Sequence, residues 1–322
     1  MGDSFFSSAL SDVIKENIKD SHVTFYTSNI SKEMVQDNPN IDDYIIHTGR
    51  LLTDIKNIRK ERFDYLFDTW AIGDAYYRVF FAKANKKVFI KKKSSEKYLV
   101  PVVYTDFVEF ARSGYVFWDR IHLLSKLDIN VENYVGKTLP VYHISDDAKK
   151  KAESFLRKKN LEKNRYILIT PKGLWKTKDI PKEVLIEVIN ILQNDMGIDV
   201  VLASSPNDRW YLDDIVSGTD RKPAVFSSKS IREFGGIILF SKHLISVESL
   251  PYHLAVGLRK SATVILGGYP IWKPENYMGL NYINIDIDCK FCCSSKCKRG
   301  DYKCLVDITP QMVIDKVMKM IK

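Results

Sequence analysis

Residues 243–258 combine a short apolar run with the start of a helix, and this pattern constrains the fold more than any other. The run His243-Leu244-Ile245 predicts a buried strand, Ser249 suits the N-cap position, and Pro251 suits an early helical position. A helix that begins where a parallel strand ends points unpaired backbone N–H groups and its positive dipole end above the sheet. The stretch therefore indicates either a phosphate or pyrophosphate site, or a capped helix with nothing bound.

Strand and helix patterns alternate along the chain, which is typical of an α/β protein with parallel sheets and helices on both faces. At 322 residues the chain fits two domains of ordinary size. The polar run at residues 160–164, followed by the strand pattern Tyr166–Thr170, predicts the boundary and gives domains 1–160 and 161–322. The aromatic segment 106–127 is predicted to be helical.

The net charge of +9 and the pI near 9.1 would suit nucleic acid, an anionic membrane or a phosphorylated substrate. The lysines are dispersed, apart from small clusters at residues 86–87, 91–93 and 149–151, and none lies in a nucleic-acid-binding module. We interpret these clusters as solvated surface or as a weak peripheral attraction to anionic lipid. Since the basic residues form no such module, we expect no binding of nucleic acid. Because the chain lacks a long apolar run and a secretory signal pattern, we expect a cytoplasmic protein.

All five cysteines fall between residues 289 and 304. A cytoplasmic chain seldom uses disulfides, so metal binding is the leading interpretation, and a cluster of reduced thiols is the alternative. Cys289 and Cys292 have the spacing of a chelate, and Cys297 with Cys304 could complete a tetrahedral structural site for zinc or iron. Cys293 would then be spare.

Three segments of the second half occur in an order and spacing shared with one protein family. Residues 169–181 form a strand, a proline and a loop with Lys178 three residues before Pro181. Residues 248–255 hold an acidic residue and a serine before a His-Leu-Ala triplet, and residues 308–313 open a terminal helix with Ile-Thr-Pro. Through these motifs, which cover most of residues 165–322, the chain resembles glycosyltransferase family 9, the bacterial ADP-heptose:lipopolysaccharide heptosyltransferases.

The resemblance implies an α/β protein of the GT-B fold, with two Rossmann-like doubly wound parallel-sheet domains facing a central crevice. The N-terminal domain would bind the acceptor, and the C-terminal domain would bind the nucleotide-sugar donor. The implied activity is inverting transfer of a sugar, most simply heptose from ADP-heptose, to lipopolysaccharide or another cell-envelope glycan, with no cofactor in catalysis. Family members begin with an apolar strand that ends in Gly-Asp. The match here is Gly2-Asp3, so we expect the first strand to be missing from the N-terminal sheet.

The same resemblance assigns roles to individual residues. Asp3 would be the general base that deprotonates the acceptor hydroxyl, and Lys178 would stabilise the leaving diphosphate. The residues assigned to donor binding are Glu248, Ser249, Leu250 and His253.

Plainer alternatives stand beside these roles. Asp3 could simply cap a helix, Lys178 could be one solvated lysine among many, and His253 could be a core histidine. Glu248 replaces the family's aspartate and Leu250 replaces its glycine. The sequence therefore also admits a different nucleotide-sugar donor or a protein acceptor on the same fold. A further alternative is a catalytically inactive sugar-nucleotide-binding or scaffold protein.

Overall fold

The computed structural model describes residues 2–69, 73, 75–91, 100–275 and 277–321, with Val100 and Pro101 described by their backbone alone. The chain divides into two compact units. The first comprises Met1–His143 with Pro274–Asn276, and the second comprises Ile144–Lys273 with Tyr277–Lys322.

The described strands of the first unit form two separate parallel sheets. One pairs β1 (Thr24–Ser28) with β2 (Asp43–His47). The other has the order β3-β4-β5, built from β3 (Phe63–Asp68), β4 (Ala84–Lys91) and β5 (Asp106–Glu109). Among the described residues, no strand precedes β1. Strands β1 and β3 belong to different sheets, and no described strand joins the two sheets.

The described part of this unit also contains short helices: α1 (Gly2–Ser8), α2 (Leu10–Asn17), α3 (Asn29–Val35), α4 (Leu51–Ile58), α5 (Ala75–Phe81), α6 (Val100–Val103) and α7 (Val116–Ile121). Two 3-10 segments follow α7, at His122–Leu127 and Val131–Asn133. The prediction of one helix over residues 106–127 was wrong at its start. Phe107 and its neighbours pair in parallel with β4, and a strand partner outweighs a local helical pattern.

The second unit is built on one six-stranded parallel sheet of order β11-β10-β9-β6-β7-β8. Its strands are β6 (Tyr166–Thr170), β7 (Asp199–Ser204), β8 (Ala224–Ser227), β9 (His243–Val247), β10 (Ala262–Ile265) and β11 (Leu280–Ile283). Every residue of β6 and of β9 is buried, as expected for central strands of a parallel sheet covered on both faces. This is why their apolar sequences predict their positions well.

Helices cover this sheet: α8 (Asp146–Lys158), α9 (Lys182–Asn190), α10 (Arg209–Gly218), α11 (Ile231–Phe240), α12 (Leu250–Gly257), α13 (Lys303–Val306) and α14 (Pro310–Ile321). Short 3-10 turns occur at Lys176–Lys178 and Pro206–Asp208, and a π-helical turn at Ile191–Asp195 extends α9. Side chains from α9, α10 and α14 meet the sheet residues in one large apolar core. The sheet is therefore a rigid support for the loops at its ends.

Helix α8 belongs to the second unit, although the sequence boundary at residue 160 places it in the first. It packs against α11, where Gly236 allows close approach. A Cβ atom at Gly236 would come within 2.8 Å of the Ala148 carbonyl oxygen and 2.9 Å of the Ala152 Cβ. The division of the chain accordingly falls between His143 and Ile144, before α8 begins.

No described helix has the length and apolar character that crossing a membrane requires. Two lysines of the cluster at residues 91–93, Lys92 and Lys93, lie outside the described residues. Lys150 and Lys151 of the third cluster are exposed on α8.

Candidate active site

The order of the second sheet reverses between β6 and β9. From β6 the chain winds through β7 to β8, and from β9 it winds the other way through β10 to β11. Ligands of doubly wound proteins bind at such a switch point, beyond the carboxyl ends of the strands. At these ends Thr170 pairs with Ser246, and the Thr170 hydroxyl donates to Ser246 Oγ over 2.8 Å. The segments that follow β6 and β9 are therefore neighbours.

The segment after β6 is a tightly closed loop that carries Lys178. The Ile180 N–H donates to the Pro171 carbonyl oxygen over 3.0 Å, and the Asp179 carboxylate accepts the Gly173 N–H over 2.9 Å. Gly173 lies directly against Lys178, since a Cβ atom there would be 2.7 Å from the Lys178 Cβ. The loop thus fixes the backbone from which the lysine side chain extends.

Lys178 forms an ion pair with Glu248, the first residue after β9. Its ammonium also donates to the Glu248 carbonyl oxygen over 3.1 Å and lies 4.1 Å from the centre of the Tyr269 ring. The side chains of Lys178 and Glu248 are only 14% and 12% exposed. The cation is therefore held in a defined place at the switch point, which a solvated surface lysine would not be. Tyr269 also contacts this cation, although the sequence analysis assigned it no role.

Helix α12 begins at the same place. Ser249 occupies the N-cap position and Pro251 lies in the first turn, as the sequence predicts. The Ser249 side chain, however, makes no capping hydrogen bond, and its hydroxyl lies 3.5 Å from the Val247 carbonyl oxygen. The amide groups at the start of α12, beginning with Leu250, thus keep their donors for a group other than the Ser249 hydroxyl.

His253 lies one turn into α12, where it is buried beside the Tyr252 ring at 3.8 Å between ring centres. Burial, and then the nearby charge of Lys178, lowers the pKa of His253 to about 3. The imidazole is therefore neutral at pH 7. It can share a hydrogen bond with a ligand but adds no positive charge to the site.

Asp3 belongs to the first unit and lies in the first turn of α1. Its carboxylate accepts from the Arg120 guanidinium over 2.6 Å, and Arg120 also donates to the Asp3 carbonyl oxygen. The Asp3 side chain is 52% exposed, whereas that of Arg120 is 3% exposed. The buried Arg120 therefore orients the Asp3 carboxylate, which remains partly exposed to solvent. The partner is 117 residues away in sequence, so no local signal could have revealed it.

The five cysteines are all unpaired thiols, partly buried at Cys289, Cys297 and Cys304 and exposed at Cys292 and Cys293. Among the described residues, no three His, Cys, Asp or Glu side chains already stand together in metal-ligand geometry. Burial, and then the nearby thiols of Cys297, Cys289 and Cys292, raises the pKa of Cys304.

Comparisons with known proteins identify the family and the fold of this chain. The sequence model of glycosyltransferase family 9 (heptosyltransferase) matches residues 54–267, more than half of the chain. A family 9 glycosyltransferase from Veillonella parvula DSM 2008 superposes with a TM-score of 0.82 at 17% identity, covering 100% of this chain and 94% of that one. No curated protein matches the sequence.

Two E. coli structures give similar values. The ADP-heptose lipopolysaccharide heptosyltransferase II has a TM-score of 0.77 at 14% identity, covering 98% of this chain and 94% of that one. The heptosyltransferase WaaC with ADP has a TM-score of 0.74 at 15% identity, covering 99% and 94%. These likenesses show the GT-B fold, and the match to the family model shows that this chain belongs to glycosyltransferase family 9 and is a glycosyltransferase.

Proposed function

We propose that this protein transfers a heptose from ADP-heptose to lipopolysaccharide or a related cell-envelope glycan, with inversion at the anomeric carbon. The observation that carries the proposal is the meeting of Lys178, Glu248 and the start of α12 at the switch point of one sheet. A fixed cation beside helix amide donors is suited to a diphosphate. Relatives of the same fold include one solved with ADP, which supports ADP as the nucleotide.

In this proposal Lys178 acts on the leaving group. As the glycosidic bond breaks, its electron pair passes to the ADP diphosphate, whose negative charge grows. An ammonium fixed before the reaction stabilises that charge more in the transition state than in the ground state. Glu248 holds the ammonium in place until the diphosphate arrives, and the amides at the start of α12 bind the remaining phosphate oxygens.

Asp3 is the proposed general base. Its carboxylate takes the proton of the acceptor hydroxyl while the hydroxyl oxygen forms the new bond to the anomeric carbon. Arg120 leaves one side of the carboxylate exposed and fixes its direction. Catalysis in this scheme relies on these side chains and helix donors, and it assigns no role to a catalytic metal.

A second candidate keeps the chemistry and changes the donor or the acceptor, which includes a protein acceptor. Leu250, the first residue of α12, brings a side chain to a position where the family resemblance leads us to expect glycine. A side chain there reduces the space beside the phosphates or the sugar.

We also propose that the reaction takes place in the cytoplasm, where the exposed Lys150 and Lys151 would favour an anionic membrane surface.

Nucleotide binding is the first test. Thermal unfolding is followed with ADP, UDP, GDP, CMP and dTDP, and a selective rise with ADP is expected. A ligand at 100 times its Kd adds about 2.7 kcal/mol to the free energy of unfolding. A selective rise with another nucleotide would support the changed donor. No rise with any of them, in folded protein, would contradict the donor site and favour an inactive protein.

Transfer itself is tested with ADP-heptose and a glycan acceptor. We expect Lys178→Ala to lower kcat by about 10²–10³-fold, the usual effect of removing one group that stabilises developing charge. Lys176→Ala is the matched control, because Lys176 lies in the same 3-10 turn but is exposed and faces the Tyr302 ring at 5.0 Å. Asp3→Ala should abolish transfer while leaving ADP binding unchanged. Equal losses for Lys178 and Lys176 would contradict the assigned role.

A further inference from the structure

Helix α5 has its charged residue on the inside and aromatic residues on the outside. Arg78, the only charged residue of the helix, is buried and pairs with the buried Asp54 over 3.0 Å. Tyr77, Phe80 and Phe81 are 59%, 45% and 41% exposed. A surface helix ordinarily has the opposite arrangement, with its apolar side against the core and its charges in water. The packing of the first unit therefore does not explain the outer side of α5.

The exposed rings lie together on one side of the helix. Tyr77, Phe80 and Phe81 have the spacing of three and four residues that makes side chains neighbours on a helix. The Phe80 and Phe81 rings contact each other edge to face, with their centres 5.0 Å apart. Tyr76 and Val79, by contrast, belong to a buried apolar cluster. The three exposed rings, which we call the α5 surface, are thus additional to the side that the core uses.

Two more exposed apolar side chains lie next to members of that buried cluster. Phe107 of β5 is 43% exposed and pairs in register with the buried Phe89 of β4, with ring centres 6.2 Å apart. Val102 of α6 is 64% exposed and directly precedes Val103, which is a member of the cluster. Single exposed apolar residues are normal, whereas groups of them mark contact surfaces.

Basic side chains lie beside the exposed rings. The Lys87 ammonium donates to the Phe80 carbonyl oxygen over 2.8 Å, and the Arg59 guanidinium donates to the Phe81 carbonyl oxygen over 3.4 Å. Residues 83–91 contain four lysines and no acidic residue. The exposed lysines of this segment are Lys83 and Lys86. The electrostatic complement of this part of the molecule is therefore a negatively charged partner.

The residue types favour one kind of negatively charged partner. Phenylalanine rings offer no hydrogen bond and gain free energy by leaving water, and tyrosine is enriched where a membrane meets water. Lysine can keep its ammonium in water while its stem lies along apolar groups. Nucleic acid also attracts lysines, but it stacks successive bases on ring faces, whereas the Phe80 and Phe81 rings stand at 86° to each other. The combination suits the surface of an anionic lipid bilayer.

We propose that the α5 surface binds an anionic phospholipid membrane, with Phe80 and Phe81 inserted between lipid headgroups and with Lys83 and Lys86 beside the lipid phosphates. Such binding combines burial of apolar area with electrostatic attraction. The inference rests on the proposed function in one respect, because it assigns to a defined surface the membrane attraction which that function includes. It concerns binding alone, so it is tested without nucleotide or acceptor.

Binding of the full chain to vesicles is measured by cosedimentation. We expect binding to vesicles of phosphatidylglycerol and phosphatidylcholine in equal parts, little binding to phosphatidylcholine alone, and weaker binding as the salt concentration rises. Phe80→Ala/Phe81→Ala should lower the partition coefficient by about tenfold or more, because two half-exposed rings bury about as much apolar area as one whole side chain. Ile30→Ala, at a 65% exposed position on α3, is the matched control and should bind as wild type does.

The lysines are tested in the same assay. Lys83→Gln/Lys86→Gln should lower the partition coefficient by about 25-fold, since each lysine near an anionic surface contributes about fivefold. Lys150→Gln/Lys151→Gln on α8 should have a smaller effect, because Lys151 already pairs with acidic side chains at 3.2 Å. A loss in the α8 variant with none in the variants of residues 80–86 would place the contact on α8 and overturn the proposal.

Hydrogen exchange in wild-type protein gives a readout that needs no variant. Anionic vesicles should slow exchange in α5 and leave exchange in α3 unchanged, because a helix held at a surface opens less often. Failure of wild-type protein to bind anionic vesicles would contradict the inference. So would binding of duplex DNA or RNA through Phe80 and Phe81 without binding of vesicles.

The outcomes also separate this inference from the proposed function. If vesicles bind through the α5 surface but ADP does not bind, the membrane surface stands and the proposed donor site fails. If heptose is transferred to a soluble acceptor but the wild-type protein binds no vesicles, the transfer activity stands and the membrane surface fails.

Discussion

A lysine stabilises a leaving diphosphate best when its position is set before the reaction. Lys178 has three such constraints: the ion pair with Glu248, the Tyr269 ring under its ammonium, and Gly173 against its Cβ. Glu248 and Tyr269 constrain the ammonium group, and Gly173 constrains the Cβ atom. Gly173 has an ordinary backbone conformation, so it is required here for space and not for a left-handed turn.

Replacing Gly173 tests whether its close packing against the Lys178 Cβ positions the lysine. The Cβ of Gly173→Ala would meet the Lys178 Cβ at 2.7 Å, a distance that forces the loop backbone to shift. We expect ADP to bind about tenfold more weakly, because small displacements of positioning groups have effects of this size or larger. Calorimetric titration with ADP measures the change.

Gly218→Ala in α10 is the matched control. Its Cβ would meet the end of the flexible Ile186 side chain at 2.5 Å, on an element that carries none of the site residues. ADP affinity should therefore be unchanged. If both alanine variants bind ADP as wild type does, close packing of Gly173 on Lys178 is not what positions the lysine.

At the scale of elements, a buried carboxylate links parts of the first unit that no shared sheet connects. Asp54, on α4, is fully buried. Its carboxylate accepts a hydrogen bond from the Tyr26 hydroxyl of β1 over 3.1 Å and one from the Arg78 guanidinium of α5 over 3.0 Å. It also pairs with His47 at the end of β2 over 2.8 Å. The two sheets are thus joined through helices α4 and α5.

Substituting this carboxylate should loosen the first unit. Asp54→Ala is expected to cost about 3–5 kcal/mol, because it removes the buried carboxylate that forms an ion pair with the buried Arg78 guanidinium. Hydrogen exchange in β1 and α4 reports the loss. The double variant Asp54→Ala/Arg78→Met should recover part of it, and Asp43→Ala, at an exposed pair with His22, should change little.

The same carboxylate gives the first unit a defined acid sensitivity. Although burial opposes the shift, hydrogen bonds from Thr48 and Arg78 hold the pKa of Asp54 well below its ordinary value. A carboxyl that is more acidic when folded stabilises the protein above its unfolded pKa of about 3.9, and this stability is lost as the pH falls below that value. At neutral pH, hydrogen exchange in β1 should be faster in Asp54→Ala than in wild type. Equal exchange rates in the two proteins would contradict the role assigned to Asp54.

At the scale of the whole molecule, the two units differ in how completely their sheets are covered. Central strands β6 and β9 are wholly buried, whereas β1 and β3 each bury a single residue. Of the apolar clusters formed by described residues, one of 22 buried residues lies in the second unit and two smaller ones lie in the first. Sheets that differ in coverage favour unfolding in steps.

We therefore expect two transitions in urea, with the first unit unfolding before the second. ADP should raise only the second midpoint, because the proposed nucleotide site lies wholly on loops of the second unit. Exchange followed by mass spectrometry assigns each transition to its residues. Lys178→Ala should remove most of the ADP effect. One cooperative transition, shifted as a whole by ADP, would show that the units do not unfold separately.

The central strands of the second unit could be predicted from sequence, whereas its outer strands β8 and β11 were missed. Strands such as β6 and β9 are buried on both faces, so they are continuous apolar runs with unambiguous ends. The half-covered strands of the first unit give weaker patterns. As a result, β2 was missed and β5 was assigned to a helix. A strand is predicted from the apolar pattern that burial imposes on its sequence, so a partly buried strand gives a weaker pattern.

The site was predictable where it depends on chain order and not where it depends on distant contacts. Ser249 was correctly placed at the N-cap, but its missing capping bond depends on local torsions that sequence does not encode. The pairing of Lys178 with Glu248 spans 70 residues, and that of Asp3 with Arg120 spans 117. Such pairs follow from the topology of the sheets, so the side chains could be named but their partners could not.

The reversal of strand order between β6 and β9 also has an evolutionary consequence. Lys178, Glu248, Ser249 and Leu250, which we propose bind the donor, lie on segments beyond the strand ends and outside the large apolar core, so they can be exchanged with little disturbance of that core. A glutamate and a leucine at positions 248 and 250 are tolerated by such a scaffold whatever they do to substrate choice. Substitutions on these segments can therefore change which ligand binds while the sheet beneath them is kept.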